Sequence, residues 1–358
     1  MAQRFMNVQI LRFVAAALVV HAHAVDFSTK FGTGSSFLRF GNFENIGAIG
    51  VDIFFVISGF IITRIAILND NKSNDAYDFI LKRIIRVVPL YFMISAPFIL
   101  LAILKSDFNF TIFLSSVTFW PVWGGDFIFP YLFLGWTLNF EMLFYAAVFV
   151  AMLIGGAGYF IVVALYLALL AGSFFSDGAL INYLGNPIIL EFLMGVAIAM
   201  VTKRVAISRG FGWAALLGFL GAMSAIIWFG FGKISEAEFA VNGELSMERA
   251  VIFGIPSALL VFSAVILERI SYGGRIRSYF ITLGDASYSI YLSHTPLFYL
   301  FNKVLTYTSI KINSSVLIII CFILAMLFGQ FVYVCLEKPV LDRMRKFRRG
   351  KPLTAANA

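Results

Sequence analysis

Charge is scarce in this chain. Asp, Glu, Lys and Arg make up 13% of its 358 residues, against about 25% in soluble domains. Hydrophobic residues reach 61%, against about 45–50%. So much apolar surface has no place in water. A soluble multidomain protein is therefore excluded, and a lipid bilayer is the expected solvent. Cysteine is nearly absent too. Cys321 and Cys335 fall in the last apolar segment, with no CxxC and no zinc spacing. They read as small apolar core residues, and no metal site is expected. The chain shows no repeat, no low-complexity tract and no soluble domain. Its net charge of +8 is not the footprint of a nucleic-acid partner, because the basic residues flank apolar segments.

What the chain does have is a series of apolar runs close to the ~20 residues that span a bilayer. Ten candidates occur at 8–26, 48–67, 84–104, 131–154, 158–175, 183–201, 211–231, 250–268, 284–303 and 313–336. The apolar stretch 108–120 is too short and reads as an interfacial or re-entrant piece. Nineteen of the 27 Lys and Arg residues fall on one side if the N-terminus is placed in the cytoplasm, among them Arg64, Lys203, Arg204, Arg275, Arg277 and the cluster after Lys338. Seven, including Lys233 and Arg249, fall on the other, and Arg12 is embedded. This bias predicts both termini inside and an even number of spans. The fold class expected is an all-α integral membrane protein, a single bundle of about ten transmembrane helices. Residues 1–24 mimic a signal peptide ending in Ala22-His23-Ala24, but Arg12 interrupts the apolar run, so they are read as the first span.

Ionisable residues inside a bilayer are costly and mark function. The first span carries Arg12, His21 and His23. His23 is eleven positions on from Arg12, about three full turns, so they share a face roughly 16 Å apart along the axis. His21 lies about half a turn away. Asp52, near the outer end of the second span, is expected at the depth of His23, where a carboxylate fixes an imidazole's tautomer. Ser58-Gly59 in the same span removes bulk and allows close packing. Lys82, Arg83 and Arg86 form one basic face at the cytoplasmic mouth of the third span, suited to phosphate oxygens. In the fourth span, Glu141 with Tyr145 one turn on should pair with Arg, His or Tyr. In the ninth, Ser287, Tyr291 and His294 share a face beside Tyr288 and read as a polar lining.

As a set and in this order, these residues resemble the membrane acyltransferase-3 family, whose bacterial members O-acylate exopolysaccharides, O-antigens and related glycans. The resemblance rests on Arg12 and His23, the phenylalanine-rich stretch 54–60 ending in Ser58-Gly59-Phe60, Arg83 and Arg86, the segment 136–145 and the Ser-Tyr…His segment 287–294. Lys82 departs mildly from the fuller basic motif, which has Arg there. The opening 7–12 is most similar to the exopolysaccharide acetyltransferase branch. The resemblance implies a transmembrane acyltransferase domain over 1–337, with a basic cytoplasmic tail at 338–358 and no appended esterase-like domain. It implies a bacterial inner-membrane enzyme with no bound cofactor. Acyl-CoA, acetyl-CoA above all, would be the donor, a glycan the acceptor, and polysaccharide-assembly machinery a partner.

On that reading Lys82, Arg83 and Arg86 hold the donor's phosphates and Arg12 lines the path of its arm. His23 then acts either as general base on a sugar hydroxyl or as acyl carrier, with Asp52 and Glu141 as the other catalytic candidates. Ser58, Tyr288, Tyr291 and His294 line the pore or meet the acceptor. The rival expectation is a transporter or flippase of a glycan or acylated substrate, which also uses buried charge.

Overall fold

The computed structural model describes residues 5–34, 36, 43–67, 76–176, 178–230, 232–270 and 274–349. Four of the charges counted for orientation, Arg4, Arg39 and Lys72 and the tail's Lys351, and the rest of 350–358 lie outside the described residues. The first five helices are α1 (Met6–Phe31), α2 (Ile49–Ile62), α3 (Ala76–Leu104), α4 (Phe110–Thr118) and α5 (Gly135–Ile154). After them come α6 (Gly158–Ser173), α7 (Ala179–Leu184), α8 (Ile189–Arg204), α9 (Arg209–Phe229) and α10 (Ala237–Asn242). The last six are α11 (Ser246–Arg249), α12 (Ile255–Ile266), α13 (Arg275–Asp285), α14 (Ser287–Thr308), α15 (Ser314–Val332) and α16 (Lys338–Arg349). Strands are confined to two short ladders, β1 (Gly32–Thr33) parallel to β4 (Ile312–Asn313) and β2 (Val122–Trp123) antiparallel to β3 (Asp126–Phe127).

Among the described residues, 8 helices are long and apolar enough to cross a membrane, and the protein is a multi-pass membrane protein. Each of the ten expected spans contains helix, the one at 183–201 broken at 185–188 between α7 and α8. The two that fall short do so for different reasons. α6 has only 16 residues. α14 has 22 but carries Ser287, Ser289, Ser293 and His294 fully buried, so its polarity faces the bundle centre and lowers its hydropathy. The stretch 108–120 is α4 followed by the β2–β3 hairpin, too short to cross. α3 begins at Ala76 rather than at residue 84, so Lys82, Arg83 and Arg86 lie about two turns inside a helix.

Contacts fix which helix ends share a face. The backbone N–H groups of Met6 and Asn7 donate to Glu268 at 2.9 and 2.7 Å, and Arg277 donates to Asn7 and Glu268. The start of α1, the end of α12 and the start of α13 are thus neighbours. At the other end of α1, the β1–β4 ladder joins it to the start of α15. Glycine lets the central helices touch. A Cβ on Gly59 of α2 would collide with the backbone of Phe192 in α8, and one on Gly195 with that of Val56. This is the close approach Ser58-Gly59 predicts. Large exposed side chains such as Phe160, Leu217 and Trp228 belong to helices α6 and α9 at the lipid-facing edge, where exposed apolar surface costs nothing.

Candidate functional site

A cavity of about 150 Å³ lies between α1, α2, α3, α5 and α14. Helical spacing aims its walls. Thr137, Glu141 and Tyr145 stand at i, i+4 and i+8 on α5, Phe54 and Ser58 at i and i+4 on α2, and Arg83 and Arg86 at i and i+3 on α3. Arg12, Tyr288 and Tyr291 complete the polar lining. Glu141, the carboxylate on this wall, accepts a hydrogen bond from Ser58 at 2.9 Å and another from the Tyr145 hydroxyl, so the expected tyrosine partner is present. Tyr291 shares a 2.8 Å hydrogen bond with Thr137, and Tyr288 donates to the Val87 carbonyl at 2.8 Å. Both phenols are anchored to neighbouring helices and keep their rings against the cavity.

Arg86 is held from behind. Its guanidinium pairs with Glu337, which is 2% exposed and also accepts from Ser289 at 2.5 Å. It also lies 5.6 Å from the ring centre of Tyr288. Glu337 ends a π-helical turn, Tyr333–Glu337, and such turns re-aim side chains at functional sites. Arg12 donates to Gln9 at 3.2 Å. Arg12 and Arg86 also line a second, outer cavity of about 370 Å³. The two guanidiniums thus stand between an outer vestibule and the inner cavity. Lys82 is not brought there. It is exposed and pairs with Asp78 at 2.5 Å.

The inner cavity reaches Tyr291 but not the histidines. His294 follows one turn on, its ring centre 6.3 Å from that of Tyr291, and its own neighbour is His23 at 5.1 Å. His294 is fully buried, its Nδ1 lies 3.3 Å from the Ile290 carbonyl, and its Nε2 has no partner among the described residues. His23 is 30% exposed and lies 3.9 Å from Asp26, itself 72% exposed. One imidazole is therefore sealed beside the cavity and the other is reachable from outside the bundle. Among the described residues no three His, Cys, Asp or Glu side chains converge as a metal site.

One expected pairing is not formed. Asp52 does not meet His23. It takes two hydrogen bonds from Arg249, at 2.9 and 2.8 Å, in a bidentate pair sealed from solvent. Arg249 also donates to the carbonyls of Ile234 and Ala48. It packs over Trp136. Read from sequence as a flanking charge at the start of a span, Arg249 is 1% exposed inside the bundle. Glu191 of α8 is buried nearby against Gly254. Sequence reasoning missed Arg249, Glu191 and Glu337. The signal was there for two of them: Glu191 lies in the middle of the apolar run 183–201 and requires a cation or a proton, and Arg249 directly precedes the run 250–268.

A family model described as "Acyltransferase domain" matches residues 7–334. The exopolysaccharide production protein ExoZ of Rhizobium meliloti (strain 1021) is 33% identical over 327 residues, covering 86% of this chain and 94% of that protein. No solved structure matches the chain. Neither comparison that does match points to a transporter. Arg12, His23, Arg86, Glu141 and His294 lie within the matched span, and the chain belongs to the acyltransferase-3 family.

Proposed function

We propose that this enzyme moves an acyl group, acetyl in the first instance, from acyl-CoA entering on the cytoplasmic side to a hydroxyl of an exopolysaccharide or its lipid-linked precursor beyond the membrane. The observation that carries this reading is the single line Arg12 and Arg86, Tyr291, His294, His23. It begins at cations suited to a phosphate-bearing donor and ends at an accessible base. The name of the ExoZ relative supports the acceptor class, and the lysine and arginine bias supports the sidedness of a ten-span bundle in the inner membrane.

In this reading the acyl-bearing arm occupies the inner cavity, where Glu141 offers an acceptor to its amide N–H groups. Arg83 adds a second cation on that wall. The acceptor hydroxyl approaches His23, which takes its proton as the C–O bond forms and the C–S bond breaks. His294, within reach of His23, returns a proton to the leaving sulfur. Proton and acyl group move in opposite senses and the charges balance. General acid–base help of this kind is worth about 10²–10⁴-fold. In the other version, His294 or His23 carries the acyl group as an acyl-imidazole. Exchange of labelled CoA into acetyl-CoA without acceptor would reveal that intermediate. Its absence favours direct transfer.

The reading is tested on the product. Cells lacking the protein should make exopolysaccharide of normal length that lacks one O-acyl ester by proton NMR, and complementation should restore it. Unchanged ester content in every surface and secreted glycan would overturn the acceptor assignment.

A further inference from the structure

The outer vestibule of about 370 Å³ is the more informative cavity. Its far wall is α16, the helix after the last apolar span. Lys338, Asp342 and Arg345 stand at i, i+4 and i+7 and face the vestibule with Arg12 and Arg86. Arg343 and Lys346 of the same helix are exposed and do not line it. The end of α13 closes the space with Asp285. Its size lies within the ~300–1,000 Å³ of small-molecule sites. The inner cavity, at about 150 Å³, is too small for a nucleotide and suits a slim chain.

We propose that this vestibule binds the phosphorylated nucleotide end of the donor. The diphosphate lies at the Arg12–Arg86 throat and the ribose 3′-phosphate at Lys338 and Arg345. The inference rests on the acyl-CoA reading above and assigns to α16 a role in binding. The ion pair between Arg345 and Asp342 is 4.0 Å long, with side chains 61% and 52% exposed. A pair of that kind contributes little, so Arg345 exchanges it for a dianionic phosphate at small cost. Asp285 and Asp342 meet the nucleotide's own donors, its hydroxyl and amino groups. Lys82, on the exposed side of α3 and paired with Asp78, takes no part.

The test is calorimetric binding to the full-length protein in detergent, with CoA, 3′-dephospho-CoA and pantetheine as ligands. Replacing Lys338→Gln and Arg345→Gln together should weaken CoA binding about tenfold or more, the equivalent of one charge-assisted contact. Binding of 3′-dephospho-CoA should change little. The control removes the same charge from the other side of α16, as Arg343→Gln with Lys346→Gln, and should bind CoA like the parent. Restoring charge with Lys338→Arg and Arg345→Lys should recover most of the loss. Equal weakening by both pairs, or none by the first, overturns the site while leaving the donor reading intact. Failure of the parent protein to bind CoA overturns the donor reading itself.

Discussion

His23 and His294 come from opposite ends of the chain and lie with their rings 5.1 Å apart. The helices that carry them, α1 and α14, are packed neighbours. If the pair works as one device, then His23→Ala and His294→Ala should each lower transfer by about 10²–10⁴-fold, and the double variant should be little worse than either, since residues acting as a unit are non-additive. His21→Ala, about half a turn from the Arg12 face, should keep most activity. Near-normal turnover in His294→Ala would remove that residue from the chemistry.

Asp52 and Arg249 supply a different expectation. A buried pair broken on one side leaves an uncompensated charge at a cost of about 3–5 kcal/mol. Asp52→Leu and Arg249→Met should each melt far lower in detergent than the parent. The double replacement should recover much of the loss. Were Asp52→Asn to melt normally and yet lose transfer, the carboxylate would be a chemical participant instead of a brace.

Glu337 acts through Arg86. Glu337→Gln should raise the donor KM severalfold with a smaller effect on kcat, because it loosens a guanidinium at the throat. Arg86→Ala should do the same, and combining the two should add little. Independent, additive losses in steady-state kinetics would mean that Glu337 has its own task.

Sidedness can be read by labelling. A cysteine at Glu238, exposed in α10, should react with an impermeant reagent in intact cells. One at Lys346 should react only after lysis. The reverse pattern would place the vestibule on the wrong face for a cytoplasmic donor.

Much of the inner cavity was legible from spacing. Arg83, Arg86, Glu141, Tyr145 and Tyr291 stand out because polar groups at i, i+3 or i+4 in an apolar helix share a face, and all line one cavity, which Ser58 and Tyr288 also line without any spacing signal. Pairing between helices was not legible. Asp52 could have met any cation of the bundle, and nothing in one sequence says that α11, rather than α1, supplies it. Nor does a tail rich in lysine and arginine announce that it is a helix with one face turned toward a cavity.

The Arg12–Arg86 throat has a consequence for the cell's energy supply. A catalyst that joins two compartments through a bilayer risks leaking the ions whose gradient powers the cell. At this constriction a sodium, potassium or hydronium ion going from vestibule to inner cavity must pass two fixed guanidiniums in a medium of low dielectric, where like charges repel strongly. An anionic thioester meets attraction at the same place. On the reading proposed above, the charges that attract the donor also bar cations, so that transfer of the acyl group leaves the membrane an electrical insulator.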